Sequence, residues 1–127
     1  MDQISDRDPL SAAVIGAAIE VHRELGPGLL EHVCQKCLEW ELSDRGIVYV
    51  PQVHCPLVYK GRNVELDFVI DILIPDQLII ELKAVEKVLP VHRAQLLTYL
   101  KLMKIKTGLL LNFNVPVLKN GVTRMVN

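Results

Sequence analysis

The stretch from Ile70 to Lys83, Ile-Asp-Ile-Leu-Ile-Pro-Asp-Gln-Leu-Ile-Ile-Glu-Leu-Lys, constrains the fold more than any other part of this chain. Two apolar runs rich in branched residues flank Pro75-Asp76-Gln77, a pattern that suits two strands joined by a tight turn. A three-residue turn sets Ile74 opposite Leu78 and Asp71 opposite Glu81. Because side chains alternate along a strand, Glu81 and Lys83 share a face while Leu82 points away. Asp71, Glu81 and Lys83 then converge on one small volume inside an apolar sheet, where unpartnered charge is costly.

That convergence has a chemical use and a plain alternative. Asp71 and Glu81 offer hard oxygen ligands for Mg²⁺ or Mn²⁺, with coordination positions left for water and a substrate phosphate. Such an ion neutralises charge on a phosphodiester and lowers the pKa of attacking water. Lys83 is placed to orient that water or stabilise the transition state. In the alternative, the three charges simply balance one another at a sheet edge. Asp67 shares the face of Asp71, but the strand separates them by about 13 Å, so it reads as a solvated edge charge.

The remaining pattern builds an α/β domain around this segment. Asp8-Pro9, or Ser11, can start a helix running to about Leu25, with Val14, Ile15, Ala18, Ile19 and Val21 marking its buried side. Gly26-Pro27-Gly28 stops it, and helical spacing resumes at Leu30, Val33, Cys34, Cys37, Leu38 and Leu42 until Gly46. Segments 47–53, 57–60, 64–73 and 78–83 read as strands, with Lys60-Gly61-Arg62-Asn63 as a turn. A helix over 90–103, a buried strand over Gly108 to Phe113 and a short edge hairpin through Val126 complete the order. A mixed sheet flanked by helices buries all these faces, within a single domain over residues 1–127.

At 127 residues the chain supplies one hydrophobic core, not two. Its formal net charge of -1 excludes the strongly basic balance of a stand-alone, tight nucleic-acid binder. Basic residues such as Arg23, Lys60, Lys87, Arg93 and Arg124 could still line a local, salt-sensitive patch. The opening Met1 to Asp6 lacks a basic-then-apolar leader, and no apolar run is long enough for a bilayer span, so a cytoplasmic location without membrane association is expected. Three cysteines cannot all pair internally. Cys34, Cys37, His32 and Cys55 make only a weak zinc signal, and reduced packed thiols are the simpler reading. His92 and His22 are read first as packed or capping residues, with His22 near the Gly26–Gly28 turn.

These motifs resemble the small GxxExxY proteins of the PD-(D/E)XK nuclease superfamily over roughly residues 10–126. Gly28-Leu29-Leu30-Glu31 looks like the first motif, and Asp71, Glu81 and Lys83 look like the D…ExK motif. Pro90-Val91-His92, Gln95 to Leu100 and Gly108 to Phe113 also look like family sequence. The resemblance implies a restriction-endonuclease-like core, metal ligation by Asp71 and Glu81 assisted by Glu31, and Lys83 as the active-site lysine. Gln95 and Tyr99 are similar to the Q-x3-Y element of related nucleases, and helical spacing independently puts them on one face. Two positions depart from the pattern: Cys34 replaces the motif tyrosine, and Val69 stands where relatives often carry arginine.

The expected function is therefore a Mg²⁺- or Mn²⁺-dependent phosphodiesterase acting on DNA, with Glu31, Asp71, Glu81, Lys83, Gln95 and Tyr99 in the site. The alternative is a noncatalytic nucleic-acid-binding or protein-assembly module that keeps the fold, working as a homodimer or with a protein partner. A hydrolase of small phosphorylated metabolites would instead require a deep, closed pocket.

Overall fold

The computed structural model describes residues 8–64 and 68–127. Asp67 and part of the strand expected over 64–73 lie outside the described residues.

Helix α1 spans Pro9–Leu25, and its start settles the choice between two caps. The Asp8 carboxylate accepts from the Ser11 N–H at 3.2 Å, with Pro9 at the first helical position. Ser11 lies inside the helix and is buried. Val14, Ala17, Ala18 and Val21 form the buried stripe, while Ile19 is 41% exposed. The stripe is thus rotated from the expected one, centring on small alanines against the neighbouring helix. That neighbour, α2, spans Glu31–Asp44 and ends at Arg45, followed by Gly46 at φ 73°. The Ile47 N–H donates to the Leu42 carbonyl at 2.9 Å. Ile47 therefore finishes the helix terminus instead of starting a strand.

Strand β1 accordingly begins later and covers Val50–His54. The short strands β2, Val58–Tyr59, and β3, Arg62–Asn63, pair around Lys60 and Gly61, both at positive φ (48° and 80°). Two positive φ values match the twist of a two-residue hairpin, which is why Arg62 and Asn63 belong to a strand and not to the turn. Strands β4, Val69–Ile74, and β5, Leu78–Lys83, form the central hairpin, with Ile72 opposite Ile80 and Ile74 opposite Leu78 as expected. Asp76 takes φ 63°, a conformation that aspartate tolerates, and the Gln77 N–H closes onto the Ile74 carbonyl at 3.0 Å.

Helix α3, Pro90–Met103, carries the chain from β5 to β6, Thr107–Asn112, which runs parallel to β5. A parallel pair needs such a crossover. After β6 a single 3₁₀ turn, Leu118–Gly121, leads to β7, Val122–Val126, which adds antiparallel to β6. The expected self-contained hairpin is replaced by this extra edge strand. Among the described residues the order in the main sheet is β1-β4-β5-β6-β7.

Alternation along the strands feeds two cores. Ile72, Ile80, Leu109 and Leu111 pack with Val14, Leu38 and Leu42 of α1 and α2. Leu73, Ile79 and Leu110 pack with Leu96, Tyr99 and Leu100 of α3. Each fully buried aliphatic side chain contributes roughly 1.5–3 kcal/mol. The result is a compact α/β fold, a mixed sheet flanked by helices. Among the described residues no helix is long and apolar enough to cross a membrane. His22 ties the end of α1 to the loop after β6, its Nε2 lying 2.7 Å from the Val115 carbonyl. Its own carbonyl accepts from the Gly26 N–H at 2.7 Å, which fixes the turn. An ion pair of Arg124 with Asp8 at 2.7 Å joins β7 to the start of α1.

Helix α3 rests on β6 at Gly108, where a Cβ would meet Leu96 Cδ1 at 2.9 Å and Leu100 Cδ2 at 3.2 Å. Gly108→Ala is expected to push α3 off the sheet and cost about 1–3 kcal/mol, read as a lower urea midpoint. An unchanged midpoint would show that α3 shifts without penalty.

Candidate active site

Asp71 sits where the β4–β5 ladder ends, while β4 still pairs with β1 and β5 with β6 beyond it. Continuing the β4–β5 register by one step from Ile72 and Ile80 brings Asp71 against Glu81. There the backbone ladder gives way to side chains: the Asp71 N–H donates to Glu81 Oε2 at 2.8 Å, and the Leu82 N–H donates to Asp71 Oδ2 at 2.8 Å. Each carboxyl thus occupies a backbone donor of the opposite strand. The packing phase of β4 also changes here, because Ile72 and Ile74 join the α1–α2 core while Ile70 joins the α3 core.

Burial makes this pair electrostatically expensive. Glu81 is 4% exposed, and loss of solvent, reinforced by the Asp71 charge, pushes its carboxyl up to about 8, against the opposing pull of the Asp71 N–H and Lys83. Asp71 is half-buried and is also raised, first by desolvation and then by Glu31, while the Leu82 N–H and Lys83 pull it down. Near neutral pH the pair therefore retains a proton that ordinary carboxylates would have lost.

Lys83 and Glu31 act on the pair from a short distance. Leu82 packs into the α1–α2 core, and strand alternation puts Glu81 and Lys83 on its other side. Lys83 is half-buried, and among the described residues it closes no direct ion pair with either acid. Glu31 is the exposed first residue of α2, where a negative charge suits the helix terminus. An open cleft of about 290 Å³, lined by Gly28, Leu29, Leu30, Glu31, Ala84 and Asn114, runs from Glu31 to the residue after Lys83. Among the described residues, no three or more His, Cys, Asp or Glu side chains gather closely enough to cage a metal ion. Glu31 thus influences Asp71 and Glu81 through its field without completing a three-ligand cluster.

Tyr99 is 2% exposed, and its hydroxyl donates to the Val69 carbonyl at 3.1 Å while its ring packs on Phe68 at 4.8 Å. Burial, followed by the charges of Glu81 and Asp71, pushes this phenol up to about 12, so it stays protonated and holds β4 in place. Gln95 lies one turn earlier, half-buried. His92 caps α3, its Nδ1 accepting from the Leu89 N–H at 3.0 Å. Cys34 is buried in the α1–α2 core and Cys55 in the α3 core, so they face opposite sides of the sheet. Of the basic candidates, Arg23 pairs with Glu20 and Lys60 lies over the Tyr59 ring, while Lys87 and Arg93 remain exposed.

Three residues missed by the sequence reading support the site. The Asn112 amide accepts from the Val85 N–H at 3.0 Å and donates to the Val85 carbonyl at 2.9 Å, fixing the chain just beyond Lys83. The buried Gln35 donates to the Asp71 carbonyl at 3.0 Å, and Gln52 donates to Gln35 Oε1 at 3.1 Å. A glutamine one turn after Glu31 could have been flagged as sharing its helix side. Nothing in the sequence marked Gln52.

The model of the PD-(D/E)XK nuclease superfamily matches residues 8–125. The chain belongs to that superfamily, and its mixed sheet and flanking helices are consistent with a restriction-endonuclease-like core. No match was found among curated proteins or among solved structures.

The raised carboxyl sets a direction for stability against pH. Glu81 binds its proton more tightly folded than unfolded, so its contribution is fully present below about pH 4.5 and is lost as pH climbs to about 8. In metal-free buffer, Glu81→Gln is expected to flatten this decline and to exceed the native stability at pH 8 by at least ~1 kcal/mol. Parallel melting curves for the two proteins across pH 5 to 9 would contradict the assignment.

Proposed function

We propose that this chain is a metal-dependent phosphodiesterase acting on DNA, a single-domain member of the GxxExxY group within its superfamily. The observation that carries this reading is the adjacent pair of half-buried Asp71 and buried Glu81, with Lys83 near enough for its charge to pull both carboxyls down. The donor set fits Mg²⁺ or Mn²⁺, since one or two carboxylates with water and phosphate oxygens satisfy such an ion without an all-protein cage. Asp71 and Glu81 would hold it, and its chemistry would be to neutralise phosphodiester charge and acidify a water molecule.

The chain's own groups supply the rest. The Lys83 ammonium, which closes no ion pair among the described residues, is available to hydrogen-bond the attacking water or a phosphate oxygen. Glu31, exposed on the cleft, can accept a hydrogen bond from that water and orient it. Tyr99 keeps its proton, so its part is to hold β4, and Gln95 is available on the same helix to contact substrate or site. The open cleft suits a strand better than an enclosed metabolite. A cytoplasmic protein, acting alone or as a homodimer, accords with this reading.

A second reading rests on a specific observation. Each carboxyl already takes a backbone donor of the facing strand, and among the described residues no three-ligand group forms. A cluster closed upon itself in this way favours a noncatalytic nucleic-acid-binding or assembly module that keeps the fold. Cys34, deep in the core where the motif would place a tyrosine, fits that reading too.

The two readings part in one assay. Labelled single- and double-stranded DNA is incubated at low salt with Mg²⁺ or Mn²⁺ and the native chain, Glu81→Ala or Lys83→Ala. Catalysis predicts metal-dependent cleavage that falls at least ~100-fold in each variant. Binding of DNA without cleavage, equal in all three proteins, would establish the module instead.

A further inference from the structure

Gln52 is an exposed residue on an edge strand, yet it holds φ 52°, a left-handed conformation that side chains other than glycine, asparagine and aspartate avoid. The β1–β4 register, with Pro51 opposite Ile72 and Val53 opposite Ile70, sets it directly across from Asp71. Strain of this kind persists where surrounding structure enforces it, and it gathers at functional sites. Here the enforcing contact is visible: Gln52 Nε2 donates to Gln35 Oε1 at 3.1 Å.

Gln35 passes the constraint to the site. Its Nε2 donates to the Asp71 carbonyl at 3.0 Å and to Glu39 Oε2 at 3.1 Å. A carbonyl can only accept, so the NH₂ group must face Asp71 and the amide oxygen must face Gln52. Both Nε2 hydrogens are used. With its N–H on Glu81 and its carbonyl on Gln35, Asp71 has its backbone held by two side chains from different elements. Gln35 also lies one turn beyond Glu31, so the same bond fixes α2 and its acid relative to Asp71.

We propose that Gln52 and Gln35 are positioning residues that hold Asp71 for a divalent cation. The inference rests on the functional reading above and names what sets the geometry of its principal ligand. Loss of an outer partner of a metal ligand typically weakens metal binding 10–100-fold. The distinguishing feature is that the cost falls on binding and not on folding. Gln52→Gly deletes the amide and relieves the positive φ, whereas Gln35→Met keeps side-chain length and apolar bulk but removes the donors.

The test measures Mn²⁺ affinity by calorimetry and melting temperature by circular dichroism for the native chain and both variants. The expected result is an affinity about 10–100-fold weaker in each variant, with Gln52→Gly melting at or near the native temperature. Native Mn²⁺ binding matched by Gln52→Gly overturns the inference and leaves the functional reading standing. No Mn²⁺ binding by the native chain removes the functional reading, and this inference with it. If Gln35→Met fails to fold, Gln52→Gly decides alone.

Discussion

The reciprocal hydrogen bonds between Asp71 and the Glu81–Leu82 segment hold two adjacent strands together just where the backbone ladder between them ends. This arrangement costs solvation, because it places two carboxyls beside one another in a sheet whose faces are covered by helices. The backbone N–H groups of Asp71 and Leu82 offset part of that cost, and side chains from the surrounding elements hold the backbone that carries them. Tyr99 anchors β4 from α3, Gln35 anchors it from α2, and Asn112 holds the segment after β5. Every helix packed near the cluster sends a polar group to the backbone around it.

The hairpin was legible from residues alone because its information is local. Branched apolar runs, a three-residue turn and two-residue alternation fixed the Ile74–Leu78 pairing, and from it the nearness of Asp71 to Glu81. Helix α3 was equally legible, from its leucine spacing. The limits of β1 were not, since Ile47 is taken by the end of α2 through a bond no propensity scale contains. The α1 stripe turned toward Ala17 because close helix packing selects small residues over the more apolar Ile19.

The supporting residues were hidden for a different reason. Gln35 and Asn112 act through amide bonds to backbone groups far away in sequence, and such bonds leave no periodic trace. Gln52 is harder still, since its significance lies in a strained φ and in what stands across the strand from it. Sequence motifs identified groups able to do chemistry; the structure adds the groups that hold them still.

The chain belongs to the PD-(D/E)XK nuclease superfamily, and Asp71 and Glu81 are the groups on which its proposed metal chemistry rests. Burial, with the Asp71 charge acting on Glu81 and the Glu31 charge on Asp71, raises both carboxyls, and on the proposed reading a divalent cation would displace the proton the pair keeps near neutrality. The most direct measurement is calorimetric titration with Mn²⁺ at pH 7 in buffers of different ionisation enthalpy, which counts protons released on binding. The account predicts release of about one proton per ion, abolished in Glu81→Gln. Binding without proton release, or release unchanged in that variant, would contradict it.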